Sequence, residues 1–139
     1  MKNKKKFIKI AIDSPAAAGA GTLAKSISKH YNLLYLDTGK IYRFIGKLKL
    51  ENKDNFNYRM IKSKIKHINM ANLKSKELLS NEVAISASII AKDKKIRDIV
   101  HKFQQKCAYQ PPNRYKGSVL DGRDTVSYTH LTLPTICSV

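Results

Sequence analysis

The stretch from Ser14 to Thr22 combines residue types and a spacing that could bind phosphate groups. It reads "SPAAAGAGT" and lies between an apolar segment and an amphipathic one. In a tight glycine-rich turn that leads into a helix, backbone N–H groups can donate together to phosphate oxygens. The stretch therefore predicts a loop for nucleotide phosphates, and a purely structural alanine- and glycine-rich turn is the alternative.

Ala20 is the main departure of this stretch from the usual pattern of such loops. That pattern is G-x-x-x-x-G-K-[ST], in which the lysine reaches the outer phosphates and the hydroxyl ligates Mg²⁺. Ser14 stands at the first glycine of the pattern and Gly19 at the second. Ala20 replaces the lysine, and Gly21 and Thr22 follow it. In a loop that serves phosphoryl transfer, losing that fixed charge would slow the reaction by about 10²–10³-fold or more, by analogy with other electrostatic donors.

The elements that would position this loop follow from the hydrophobic pattern. Residues 6–13 predict a buried strand, residues 21–31 a helix with one apolar face, and residues 33–37 a second short strand. Asn32 is a residue that can end the helix in a left-handed cap. A strand–loop–helix–strand succession implies a parallel α/β sheet.

The rest of the chain predicts further helices and a third strand. Residues 40–50 form the next predicted helix, whereas residues 51–76 are polar, lysine-rich and weakly patterned, which indicates a helical or mixed excursion. Residues 80–109 predict one long helix or a helix pair, and the prolines at 111–112 stop it. Residues 118–124 predict a strand that ends in charged residues, where open α/β sheets bind ligands.

Composition narrows the class of protein. The chain has 139 residues, enough for one domain, and a formal net charge of +17. That charge favours polyanionic partners, but dispersed lysines also arise from biased composition, so both interpretations stay open. The sequence has no apolar run of membrane-spanning length and no convincing signal peptide, so we expect a cytoplasmic protein. Its cysteines, Cys107 and Cys137, suggest neither a disulfide framework nor a metal site.

Residues 125–139 differ abruptly in character from the body of the chain. They read "TVSYTHLTLPTICSV" and contain no Lys, Arg, Asp or Glu. The segment resembles the translation of a transposon-end adapter used in preparing DNA libraries. We therefore predict that residues 125–139 are a non-native, adapter-derived tail and leave them out of the expected fold.

Four segments of the chain together resemble one enzyme family. They read "IAIDSPAAAGAGTLAK", "YLDTGKIYR", "NEVAISASIIAKDKKIRDIVHKFQ" and "VLDGRD". Their order and approximate spacing resemble bacterial cytidylate kinase, whose pattern includes I-A-I-D-G-P-x-x-x-G-K-G-T, L-D-[ST]-G-x-x-Y-R, E-V-A-N-A-A-S and D-G-R-D. The resemblance covers most of residues 7–124, and four linked motifs are specific where any one alone would be weak.

The resemblance implies a fold, an activity and a boundary. It implies an α/β P-loop nucleoside monophosphate kinase fold with a parallel sheet, partial in residues 1–124, with a short acceptor-nucleotide insert at residues 51–79. The implied reaction is ATP-dependent phosphorylation of CMP or dCMP with Mg²⁺, in pyrimidine nucleotide metabolism. The implied protein is a monomer without a membrane or a specific nucleic-acid partner. Because the family continues after D-G-R-D with a lid and a closing helix, we expect this chain to be a C-terminally truncated, inactive N-terminal fragment.

The resemblance also assigns residues. Thr22 would lie near Mg²⁺, indirectly bound. Arg123 and Asp124 would meet the nucleotide as the catalytic pair, with Asp124 towards the sugar. The acceptor nucleotide would be held by Thr38, Arg43, Arg97, Arg123 and Asp124. The ATP phosphates would be wrapped by Ser14, Pro15, Ala16, Ala17, Ala18, Gly19, Ala20, Gly21 and Thr22.

Other interpretations remain open at this point. Without the resemblance, Arg43 and Arg97 would be surface arginines of helices, Asp121 would form a turn, and Tyr35 would pack in the core. Lys25 could partly substitute for the missing loop lysine. The chain could also be another small P-loop kinase, such as one acting on AMP, or a non-catalytic basic module that binds nucleotides or RNA.

Overall fold

The computed structural model of the protein describes residues 6–13, 19–112, 114–122 and 135–138. The strands are β1 (Ile8–Asp13), β2 (Leu34–Asp37), β3 (Gly117–Asp121) and β4 (Thr135–Ser138). The helices are α1 (Ala20–Tyr31), α2 (Thr38–Glu51), α3 (Tyr58–Lys66), α4 (Met70–Leu73), α5 (Asn81–Ile90) and α6 (Lys94–Tyr109), with a 3₁₀ turn at Lys76–Leu79. This confirms the predicted α/β class.

The chain forms two compact units. The sheet unit comprises Met1–Thr38 and Gln104–Val139, and the helical unit comprises Gly39–Phe103. All four strands lie in the sheet unit, in the order β2-β3-β1-β4, and every pair of neighbours is parallel.

The core of the sheet unit lies between β1, β3 and α1. Its buried side chains are Ile10, Ile12, Ala24, Leu33 and Val119, with Ile27 and Tyr35 packed against them. Gly117 is the first residue of β3, and a Cβ at this position would collide with the backbone of Ile8 on β1. Close backbone approach of the two strands therefore requires glycine at this position.

Asn32 joins the end of α1 to the start of β3. It caps the helix in the left-handed conformation with φ 55°, as the sequence predicts, and its N–H donates to the Ser28 carbonyl. Its carbonyl accepts from the Lys116 N–H at 2.9 Å. Its side-chain amide donates to the Arg114 carbonyl at 2.8 Å. One residue thus ends the helix and holds the chain that enters β3.

The helical unit is more regular than its sequence suggests. The weakly patterned residues 51–76 contain α3 and α4, whose first turns are capped by the side chains of Asn57 and Asn69. Asparagine at these positions accepts from an otherwise unpaired N–H group of the helix start.

The region at 80–109 is a helix pair. Ser80 caps α5 by accepting from the Val83 N–H at 3.2 Å, which confirms the predicted start. The second helix begins after Asp93, whose Oδ1 accepts from the Lys95 N–H at 2.9 Å. Helix α5 ends at Ile90 and Asp93 caps the start of α6, which decides between the two sequence interpretations.

Helices α2 and α5 approach closely at Gly46. A Cβ on Gly46 would lie 2.7 Å from the backbone nitrogen of Ala87. The buried Ser86 hydroxyl donates to the Gly46 carbonyl at 2.8 Å. Glycine therefore allows the backbones to meet, and the serine ties them together.

The fourth strand lies in the segment that the sequence analysis leaves out of the fold. β4 pairs with the free side of β1, with Ile10 opposite Thr135 and Asp13 opposite Ser138. The non-native origin of residues 125–139 concerns their source and stays a prediction. Among the described residues, no helix is both long and apolar enough to cross a membrane.

Candidate functional site

Three parallel strands bring their carboxyl ends to one edge of the sheet. β1, β2 and β3 end at Asp13, Asp37 and Asp121. Asp37 lies opposite Asp121 in the register of β2 and β3, and Ile12 lies opposite Asp121 in that of β1 and β3. This is the edge at which open parallel sheets bind ligands, so the candidate site begins here.

Asp121 is held by a tyrosine from the neighbouring strand. The Tyr35 hydroxyl donates to Asp121 Oδ2 at 3.0 Å. Burial raises the pKa of Asp121 above its usual value, and Asp37 raises it further, whereas the Tyr35 hydrogen bond and Lys25 act in the opposite direction. Burial, Asp37 and Asp121 also raise the pKa of Tyr35, so this hydroxyl stays a donor at neutral pH. The edge therefore carries a concentration of negative charge that a cation would relieve.

The first turn of α1 lies beside this carboxylate. Gly19 precedes the helix with φ 78°, a left-handed conformation that favours glycine. A Cβ on Gly21 would lie 3.6 Å from Asp121 Oδ2. The first turn of α1 contains no acidic residue, so no side-chain carboxylate offsets the partial positive charge of this helix end. Thr22 lies exposed in the same turn.

Much of the predicted phosphate loop is not part of the described chain. Ser14, Pro15, Ala16, Ala17 and Ala18 lie outside the described residues. Ala20 begins α1. Lys25, the predicted substitute for the missing lysine, has its Nζ 5.9 Å from the centroid of the Tyr35 ring. It is thus near the Tyr35–Asp121 pair.

Thr38 follows β2 directly and begins α2. Its Oγ1 accepts a hydrogen bond from Gln104 Nε2 at 2.5 Å. Gln104 is only 5% exposed and lies one turn from each of the buried residues Val100 and Ala108. The sequence analysis did not single out Gln104; an amide on the apolar face of α6 was the available signal. It fixes the hydroxyl that the resemblance assigns to the acceptor nucleotide.

The two predicted acceptor arginines of the helical unit are half-buried rather than surface residues. Arg43 Nη1 donates to the Leu78 carbonyl at 2.9 Å. Arg97 Nε is buried without a hydrogen-bond partner among the described residues. A buried unpaired donor is costly, which makes Arg97 a candidate for binding an anion.

The structure therefore places one predicted site residue beside the carboxylate at the sheet edge, whereas contacts among the other predicted residues stay predictions. Gly21 meets Asp121 in the sheet unit. Arg43 and Arg97 belong to the helical unit. Arg123 and Asp124 lie outside the described residues.

Comparison with known proteins identifies the family. The sequence model described as cytidylate kinase matches residues 10–131. A cytidylate kinase of Rhodopseudomonas palustris is 37% identical over 116 residues, covering 83% of this chain and 53% of that protein. Those of Paramagnetospirillum magneticum and Bartonella quintana are 40% and 41% identical over the same length, covering 83% of this chain and 54% and 52% of theirs.

The match extends beyond the site residues to most of the chain. The chain spans about half the length of the curated relatives it matches. The matched region contains the phosphate-loop stretch, most of β1, all of β2 and β3, and all six described helices. This chain belongs to the cytidylate kinase family.

Proposed function

We propose that this protein transfers the γ-phosphoryl group of ATP to CMP or dCMP. The observation that carries the proposal is Arg97, whose buried Nε has no partner among the described residues. A bound phosphate would supply the missing acceptor, and a planar guanidinium matches phosphate with two parallel hydrogen bonds. The names of the relatives in Rhodopseudomonas and Bartonella support cytidylate as the acceptor.

For ATP, the proposed site is the loop of residues 14–22 with the start of α1. Gly19 is left-handed and the first turn of α1 lacks acidic residues, which supports an anion site. Backbone N–H groups at a helix start bind phosphate without any charged side chain. In this proposal the loop holds ATP in position, and the edge of the sheet lies beside its phosphates.

The same edge fits Mg²⁺. Asp37 and Asp121 lie opposite each other on adjacent strands, and Mg²⁺ is commonly bound by one or two carboxylates with waters and substrate phosphates. Burial, and after it Asp37, raise the pKa of Asp121, and a bound cation would favour the ionised form of this carboxyl. When bound, Mg²⁺ would neutralise charge on the phosphate oxygens. Tyr35 would orient Asp121, and Thr22 would contact the ion through water.

For the acceptor nucleotide, we propose Thr38, Arg43, Arg97, Arg123 and Asp124. The Thr38 oxygen accepts from Gln104, so its own proton can be donated to a ligand. Arg43 is positioned through its bond to the Leu78 carbonyl. Phosphoryl transfer depends mainly on positioning and charge neutralisation, so the reaction requires contacts of this kind and no nucleophilic side chain of the protein. Arg123 and Asp124 complete the proposal as the pair that meets the nucleotide during transfer.

A binding experiment tests this proposal without requiring turnover. Calorimetry on the 139-residue chain should give tighter binding for CMP and dCMP than for AMP. Arg97→Lys keeps the charge but loses the planar fork, so CMP affinity should fall about tenfold. Arg59→Lys, at an exposed position in the same unit, is the matched control and should leave affinity unchanged. Equal binding of AMP, or an unaffected Arg97→Lys variant, would reject the acceptor assignment.

A second candidate, non-catalytic binding of RNA, is favoured by α3. Arg59, Lys62 and Lys66 are exposed at a spacing that places them on one face, and α3 contains no acidic residue. Binding that depends on phosphate contacts weakens steeply with salt. Titration with a short RNA at low and high salt should then show strong salt dependence without any requirement for Mg²⁺-ATP. A lack of RNA binding at low salt would reject this candidate.

A further inference from the structure

The helical unit contains a cavity that the proposed phosphate-transfer site does not use. Its volume is about 430 Å³, and it is formed by the start of α3, the end of α5, the start of α6 and Lys49 of α2. Small-molecule sites in proteins commonly have volumes of about 300–1,000 Å³ and mostly apolar walls. None of the residues assigned to ATP, to the acceptor nucleotide or to Mg²⁺ lines it.

Isoleucine is the commonest residue in the walls of the cavity. Ile61, Ile90 and Ile96 are buried, and Ile89 lies at the opening with 51% of its surface exposed. Phe56 adds an aromatic wall. An apolar group that entered would therefore cover the exposed part of Ile89 and remove apolar surface from water, which favours binding.

The negative charge at the cavity, on Asp93, is already hydrogen-bonded within the protein. The Tyr58 hydroxyl donates to Asp93 Oδ2 at 2.7 Å, and Asp93 Oδ1 accepts the N–H groups of Lys95 at 2.9 Å and Ile96 at 3.4 Å. The Tyr58 bond and these backbone bonds lower the pKa of Asp93, so it stays ionised. Both oxygens of this carboxylate are thus committed to α3 and to the start of α6.

The lysine side chains at the cavity make fewer interactions within the protein than Asp93 does. Lys49 is half-buried in the lining, and its ammonium group makes no hydrogen bond or ion pair with any residue in the described part of the chain. Lys95 lies with its Nζ 5.1 Å from the centroid of the Tyr58 ring. The charge available to a ligand is therefore positive. The chain's net charge of +17 makes a second copy of itself an unfavourable occupant.

We propose that this cavity binds a small amphipathic anion. The aliphatic or aromatic body of the ligand packs against Ile61, Ile89, Ile90 and Ile96. Its carboxylate, sulfonate or phosphate head lies beside Lys49. The site is separate in residues from the nucleotide site and does not depend on the proposed kinase activity.

The test uses anilinonaphthalene sulfonate, an aromatic body with one anionic head, titrated into the 139-residue chain. We expect saturable binding to one site, with NMR shifts at the methyl groups of the four lining isoleucines. Lys49→Gln should weaken binding about fivefold, the size expected for one partly exposed ion pair. Lys53→Gln, an exposed lysine outside the lining, should have no effect.

Two isoleucine variants on α5 distinguish binding in the cavity from nonspecific binding to exposed apolar side chains. Ile89 lines the cavity, whereas Ile85 is 61% exposed on the same helix and does not line it. Ile89→Gln should weaken binding and Ile85→Gln should not, with thermal unfolding confirming that both variants fold. Equal effects of the two variants, non-saturable binding, or equal affinity for the uncharged phenylnaphthylamine would overturn the proposal.

Discussion

The Tyr35 hydroxyl donates to Asp121 Oδ2 at 3.0 Å, across 86 positions of the chain. This bond joins the carboxyl ends of β2 and β3 beside the first turn of α1. Tyr35 also packs against the core of the sheet unit, as its sequence context predicts. One side chain thus supports the core and positions the carboxylate at the sheet edge.

Removing that hydroxyl should change the titration of its partner. In Tyr35→Phe, the pKa of Asp121 should rise further, because the hydrogen bond that stabilises the ionised form is lost. The free energy of unfolding should fall by about 0.5–1.5 kcal/mol. NMR titration of the aspartate carboxyl carbons measures the first effect. Tyr31→Phe, at an exposed tyrosine on α1, is the control; an Asp121 titration unchanged by Tyr35→Phe would contradict the bond.

The ionisation of Asp121 should contribute to the pH dependence of the free energy of unfolding. Its folded pKa lies above the usual aspartate value of 3.8, so its stabilising contribution is complete below that value and is lost as pH rises through the folded pKa. Asp121→Asn should therefore gain stability relative to the wild type between acidic and neutral pH. Denaturant unfolding at several pH values measures this difference. Asp98→Asn, at an exposed aspartate, should change stability by no more than about 0.5 kcal/mol; a pH-independent difference for Asp121→Asn would refute the prediction.

Gly46→Ala should destabilise the helical unit. The added Cβ would lie 2.7 Å from the Ala87 nitrogen, so a backbone must move, at a cost of about 1–3 kcal/mol. Thermal or denaturant unfolding measures the loss. Gly39→Ala, at an exposed glycine of the same helix, should be neutral or stabilising because alanine has the higher helix propensity. Similar behaviour of the two variants would show that α2 and α5 do not meet closely at Gly46.

Ala20→Lys should restore a phosphate contact in the proposed ATP site. The usual lysine of such loops reaches the outer phosphates, so ATP affinity should rise about tenfold or more, and any CMP-dependent ADP production should increase. Calorimetry and a coupled assay measure the two effects. Ala17→Lys adds the same charge to the loop at another position. If both variants bind ATP equally well, position does not matter and the loop assignment fails.

Much of the fold was predictable because the relevant signals are local. Alternating and helical apolar patterns located β1 to β3 and the longer helices. Asn32 and Ser80 marked a helix end and a helix start through contacts within four residues. The region at 51–76 was less predictable because its helices depend on asparagine caps and a few buried isoleucines amid lysines.

Family membership was also determined by the sequence, because several motifs occur together in the right order. The motifs do not show how deeply each residue is buried or which groups surround it. Arg97 looks like a surface arginine in isolation, and burial of its Nε arises from packing in the helical unit.

The surroundings of the site residues depend on contacts between segments that are distant in the sequence, so only the tertiary structure determines them. The sequence around Asp121 favours a turn, whereas the fold surrounds this carboxylate with Tyr35, Asp37 and the turn at Gly21. Gln104 carries no motif, and its role appears only because α6 places it 2.5 Å from Thr38, 66 positions away. The cavity beside Lys49 likewise depends on residues from four helices that form its walls. Sequence patterns report which face of an element is apolar, whereas burial, charge and partners depend on which elements meet.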